Sequence, residues 1–230
     1  SKHMVSSLDA KRRVQQLGES EDDIYVIGSP ELDIHSSNSG INLKQVRERY
    51  DIEENDYGIC IFHPVTSELS DISQQACDLF EALSETGKYF VVILPNNDPG
   101  SNLIKEVINQ LDKSYFRIIP SMRFKYFSEL MKNTSIFIGN SSTGVREAPF
   151  LGIPSIDIGT RQTNRAISDS VFNAKASEKS KIINLVNRNW NKRFERDSGY
   201  GYGNASTRFV EILEDESFWV HSMQKYFRDA

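Results

Sequence analysis

The chain has 230 residues, 38% of them hydrophobic and 26% charged, which suits one α/β domain or two small ones with a sizeable buried core. A net charge of −5 excludes a general nucleic-acid partner, which needs a basic face, but leaves room for a small anionic ligand held by a few donors. Two cysteines, Cys60 and Cys77, exclude a disulfide framework, and no stretch reads as a membrane span or a signal peptide, so a cytoplasmic location without membrane contact is expected.

Ser1-Lys2-His3-Met4 reads as the remnant of an expression tag, which leaves 5–230 as the folded chain. A helical segment over Ser7 to Leu17 leads into a first strand candidate, Ile24 to Ile27, followed by Gly28-Ser29-Pro30. Further strand candidates are Gly58 to Phe62, Tyr89 to Leu94, Phe116 to Ile119, Ser135 to Ile138 and Ser155 to Ile158. Most are continuous apolar runs, as expected of parallel strands covered on both faces. Helical stripes fall between them: Ile72, Ala76, Leu79, Phe80 and Leu83 before Gly87; then Leu103, Val107, Ile108 and Leu111; then Phe127, Leu130 and Met131. A last helical stretch lies past Thr207. This alternation predicts βαβ units and a Rossmann-like, doubly wound parallel sheet.

Ligands of such sheets bind beyond the carboxyl ends of the strands, and the loops there carry the polar and special residues. His63 ends a strand in Phe62-His63-Pro64, where an imidazole can donate to a phosphate or shuttle a proton near neutral pH, although a structural histidine is the plainer reading. The run Gly139-Asn140-Ser141-Ser142-Thr143-Gly144 follows an apolar strand and opens a helix. Free backbone amides, the hydroxyls of Ser141, Ser142 and Thr143, the flexible Gly144 and the helix dipole would together form an anion nest suited to a diphosphate. An ordinary hydroxyl N-cap would explain the same residues. Glu147, a few residues further on, would be repelled by phosphates and suits vicinal sugar hydroxyls instead. Arg161 and Arg165, in the loop after the next strand, could reach back to neutralise phosphate charge. No spacing suggests a metal site, and the phosphate-loop lysine motif, the dinucleotide glycine fingerprint and the serine-hydrolase elbow are lacking.

The run from Gly139 to Arg165, including Arg146-Glu147-Ala148-Pro149 and Gly159-Thr160-Arg161-Gln162, resembles the signature of UDP-N-acetylglucosamine 2-epimerases, most of all their hydrolysing branch. Supporting elements occur in order: Gly28-Ser29-Pro30-Glu31-Leu32-Asp33, His63-Pro64-Val65-Thr66, Pro95-Asn96-Asn97-Asp98-Pro99-Gly100-Ser101 and Tyr200-Gly201-Tyr202-Gly203-Asn204-Ala205-Ser206. The resemblance implies a two-lobed GT-B-type fold, of which this chain is the carboxy-terminal, UDP-binding lobe with closing helices, the amino-terminal lobe being absent. It implies that Ser141 and Ser142, with Thr143 and Gly144 in the same nest, hold the UDP diphosphate, and that Glu147 holds the ribose. His63, Asn96, Arg161 and Arg165 would complete the site, with backbone near Met122 on the uracil and Phe127 packed nearby. The implied reaction converts UDP-N-acetylglucosamine to N-acetylmannosamine and UDP by elimination and hydration. It needs no cofactor, its acid–base residues beyond His63 lie chiefly in the other lobe, and this chain alone would be inactive. UDP or a UDP-amino sugar, the other lobe and a second copy in a homodimer are the implied partners. Asn97, Pro99 and Ser198-Gly199 depart mildly from the family pattern, and Asn102 stands where the animal enzyme uses a lysine for feedback inhibition. A donor-binding lobe of a GT-B glycosyltransferase and a non-catalytic nucleotide-sugar module are the alternatives.

Overall fold

The computed structural model describes residues 1–165 and 168–220. In chain order it contains β1 (His3–Val5), α1 (Leu8–Gln16), β2 (Ile24–Val26), α2 (Glu31–Ser36), α3 (Leu43–Tyr50), β3 (Gly58–Ile61), α4 (Ile72–Glu85) and β4 (Phe90–Ile93). There follow α5 (Ser101–Ile108), β5 (Phe116–Ile119), α6 (Phe124–Asn133), β6 (Ile136–Gly139), α7 (Glu147–Phe150), β7 (Ser155–Ile158), β8 (Val171–Ala174), α8 (Lys179–Asn189), α9 (Ala205–Glu214) and α10 (Glu216–Trp219). They form two compact units: residues 39–197, and residues 1–38 with the described residues from 198 onward. No helix among the described residues is long and apolar enough to cross a membrane.

The larger unit is built on six parallel strands in the order β5-β4-β3-β6-β7-β8. Counted within this sheet, that is the 3-2-1-4-5-6 order of a doubly wound fold. The strands are short runs of β-branched and aromatic residues, and β3, β6 and β7 are buried along their whole length. One face carries α4 and α8, with Phe62, Leu79, Phe90 and Ile156 in its core. The other carries α3 and α6, with Ile59, Phe127, Leu130 and Phe137 in its core. The sheet thus has two apolar faces, which is why its strands do not alternate. Cys60 is buried in β3, where burial pushes its thiol up, and Cys77 is half-buried in α4; both are free.

The smaller unit corrects two expectations. His3 and Met4 are not outside the fold: β1 pairs in parallel with β2, His3 opposite Ile24 and Met4 opposite Tyr25, and Lys2 makes a 2.9 Å ion pair with Asp23. The strand at Ile24 belongs to this two-stranded sheet and not to the large one. Two sequence elements far apart in the chain also meet in this unit. Gly28 and Gly201 approach so closely that a Cβ on Gly201 would lie 2.8 Å from Gly28 Cα. The Asp33 carboxylate accepts from the N–H groups of Ala205 and Ser206, at 2.8 and 2.7 Å, capping α9.

Candidate functional site

The connections of the large sheet run outward in opposite directions from the central pair β3 and β6, so a crevice opens beyond the carboxyl ends of these two strands. His63 stands just past β3, and Asn140 directly follows β6. Gly139 makes their approach possible: its φ is +134°, and a Cβ there would sit 1.9 Å from Ile61 O.

Asn140 is the hub. Its side chain is buried, accepting from His63 N at 2.7 Å and donating to His63 O at 2.8 Å. Its own carbonyl accepts from Arg161 Nη1 at 3.1 Å and from Gln162 Nε2 at 2.9 Å. One residue therefore ties together the loops after β3, β6 and β7. Sequence reading passed over Asn140 and Gln162, although a buried amide must find such partners.

His63 is 7% exposed, and its Nδ1 accepts from Asn96 N–H at 3.3 Å. That bond assigns the proton to Nε2. Burial, helped by the charge of Arg161 and opposed by Asp98, lowers the imidazole to about 4. It is neutral at physiological pH, a fixed N–H donor and not the near-neutral proton shuttle that its residue type suggested. Asn96 is joined to it through its backbone, and its side chain is exposed.

The hydroxyl loop differs from the expected helix start. Ser142–Gly144 form a single 3-10 turn capped by Ser141, and α7 follows with only four residues. Little helix dipole stands behind the turn. Thr143 Oγ1 donates to Glu147 Oε1 at 2.8 Å, so this hydroxyl orients a carboxylate and is not spare for a phosphate. The Gly144 N–H donates to Ser141 O at 3.0 Å. Its lack of a side chain serves packing, since a Cβ would meet Ser155 Oγ at 2.7 Å and the Phe137 ring at 3.0 Å. What the loop offers outward is Ser141 and Ser142, both half-buried; the Ser142 hydroxyl and N–H have no partner among the described residues.

Arg161 is half-buried and reaches toward this turn from the other side. Arg165 is exposed and donates to Gln162 Oε1 at 3.3 Å. Met122 is half-buried just after β5, on the same sheet edge. Phe127 is a core residue, 7% exposed, with its ring 6.0 Å from that of Phe124, and this packing accounts for it. Glu147 is buried. Three groups of different chemistry thus gather around Asn140: a neutral imidazole, a guanidinium and a serine pair. That set fits a phosphate-bearing ligand whose charge is shared among hydrogen bonds.

Comparison with known proteins gives the family and the fold. A family model described as UDP-N-acetylglucosamine 2-epimerase matches residues 1–214. The chain is 38% identical, over 99% of its length and 61% of the relative's, to a UDP-N-acetylglucosamine 2-epimerase of Neisseria meningitidis serogroup B. It is 29% identical, over 92% of its length and 57% of the relative's, to a hydrolysing UDP-N,N'-diacetylbacillosamine 2-epimerase of Legionella pneumophila. Among solved structures, the fold resembles the Neisseria meningitidis UDP-GlcNAc 2-epimerase bound to UDP-GlcNAc, with a TM-score of 0.73 and 20% identity over 92% of this chain and 61% of that one. The chain therefore spans about three fifths of the length of these relatives, and the α/β fold is that of one lobe of a GT-B-like structure.

Proposed function

The chain belongs to the UDP-N-acetylglucosamine 2-epimerase family, and from that premise we propose that it is the carboxy-terminal, UDP-gripping lobe of a hydrolysing epimerase. The observation that carries the reading is the meeting of His63, Arg161 and the Ser141–Ser142 pair around Asn140 at the switch point of the sheet. The leaving group of the reaction is UDP. As the bond from C1 to its oxygen breaks, the electron pair goes to the diphosphate, and donors already aimed there lower the barrier. Neutral His63 gives one N–H, Arg161 its remaining guanidinium hydrogens and Ser142 its hydroxyl and N–H. Glu147, braced by Thr143, takes the ribose hydroxyls, and the backbone near Met122 takes the uracil.

Loss of the C2 proton needs a base near the sugar. Among the described residues of this edge, Glu147 is braced by Thr143 and His63 already accepts at Nδ1. We assign that base to the part of the longer relatives that this chain does not cover. Residues 1–230 then bind UDP without turning over UDP-N-acetylglucosamine. The longer enzyme forms a 2-acetamidoglucal and hydrates it to N-acetylmannosamine. A UDP-diacetylated amino sugar would use the same grip.

Titration calorimetry with UDP tests the grip. Saturable binding is expected, weakened about tenfold or more by Arg161→Ala, as suits loss of a hydrogen bond to charge. An unchanged affinity in that variant, or no binding by the unaltered chain, would sink the proposal. Release of UDP and free N-acetylmannosamine by the longer enzyme, with no acceptor present, separates an epimerase from a glycosyltransferase.

A further inference from the structure

We propose that Asp157 is a positioning residue beneath the diphosphate site, and that nucleotide-sugar binding there draws a proton onto its carboxyl group. The inference rests on the nucleotide reading of the same crevice.

Its basis is an unusual pair of polar side chains in the middle of an apolar sheet. Along β7, Ile156 and Ile158 point into one core, while Ser155 and Asp157 point to the opposite face. Ser155 is opposite Phe137 and Asp157 is opposite Gly139, the glycine that begins the hydroxyl loop. The 3-10 turn rests on this face, because a Cβ on Gly144 would lie 2.7 Å from Ser155 Oγ. Asp157 is one pleat, roughly 7 Å, further toward the carboxyl end of the sheet, where the crevice opens. It is 3% exposed, Ser155 is fully buried, and neither Asp157 Oδ1 nor Ser155 Oγ has a hydrogen-bond partner among the described residues. A buried carboxylate left unpaired is costly, and such groups concentrate where a site uses them.

Burial raises the Asp157 carboxyl to about 6. The neighbouring strands bring it no countercharge: Gly139 is opposite on β6 and Asn173 on β8. The charged and titratable groups of the surrounding elements are Arg146 and Glu147 at α7, Arg161 and Arg165 in the loop after β7, Lys175 after β8 and His63 after β3. In the free protein at neutral pH the carboxyl is mostly ionised. A diphosphate bound above it adds negative charge and so favours its neutral form. That form carries an O–H, which can donate where the carboxylate could only accept. Binding then consumes a proton, and affinity falls as pH rises.

The test is calorimetric titration of the whole chain with UDP-N-acetylglucosamine, whose diphosphate diester has no proton to gain near neutrality. At pH 7.5 the observed enthalpy is expected to vary with the ionisation enthalpy of the buffer, showing uptake of close to one proton. Between pH 6.5 and 8 the affinity should weaken by a factor approaching about ten per pH unit. Asp157→Asn should remove both dependences and bind about thirtyfold more tightly at pH 7.5 than the unaltered chain. A buffer-independent enthalpy in the unaltered chain overturns the inference whether or not the variant folds. So does a pH dependence that survives in Asp157→Asn, which would place the proton on His63. Binding without proton uptake leaves the nucleotide reading standing, whereas no binding at all removes both.

Discussion

His63 and Asp157 are displaced from their ordinary proton affinities in opposite senses, and their effects on stability nearly cancel. His63 falls from 6.5 to about 4, so between those values the unfolded chain holds more protons there, and stability is lost as pH falls. Asp157 rises from 3.8 to about 6, so over that window the folded chain holds the extra proton, and stability is gained as pH falls. Each effect is worth at most roughly 3 kcal/mol. From pH 6 to 4 this pair should therefore leave the stability of the unaltered chain almost level. Substituting one member exposes the other: Asp157→Asn should lose roughly 2–3 kcal/mol between pH 6.5 and 4, and His63→Gln should gain a similar amount over the Asp157 window. Urea unfolding at pH 4.5 and 7 measures both. Equal slopes in the two variants would show that these groups do not carry the shifts.

At the scale of elements, the six strand candidates and the first and third helical stripes lie where the sequence placed them, because hydrophobic period and glycine punctuation are local properties; the second stripe runs past its helix, which ends at Ile108 and leaves Leu111 outside it. β8 was missed: Val-Phe-Asn-Ala is short, mostly unburied and at an edge, and it becomes a strand only by pairing with β7. β1 was missed because its first residues read as a tag remnant, and only pairing with a partner about twenty positions away makes them a strand. In the hydroxyl loop the residue types were legible and their work was not. Gly139 and Gly144 looked like parts of an anion nest, but both are set by close approach, to Ile61 and to Ser155. Thr143 looked like a donor to ligand and instead braces Glu147. The hub role of Asn140 depends on what three distant loops place around it, which no local pattern encodes. The Gly144 contact gives a direct check. Gly144→Ala should cost about 1–3 kcal/mol through overpacking. Because Ser155 Oγ is buried without a partner, Ser155→Ala should be nearly neutral alone and should return part of that loss in the double variant. Additive losses in a double-mutant cycle would mean that the Phe137 ring, 3.0 Å from the same point, sets the cost.

At the scale of the molecule, both cores of the larger unit draw their members from within residues 39–197. The chain closes that unit on itself: Phe194 N–H donates to Gly152 O at 2.9 Å and Asp197 N–H to Pro149 O at 3.1 Å. The smaller unit has its own ties, with Asp33 on α9 and Gly28 against Gly201. Every residue assigned to the nucleotide site, from His63 to Arg165, lies within the larger unit, and its hub bonds join residues of that unit alone. Two sheet faces, each covered by helices, satisfy what a domain needs to fold alone. Residues 39–197 produced by themselves should therefore melt in one cooperative transition and bind UDP within about twofold of the whole chain, a difference under roughly 0.5 kcal/mol. A cooperative fold with much weaker binding would place part of the grip in the smaller unit. Loss of cooperative melting would mean that the two cores are not sufficient without it.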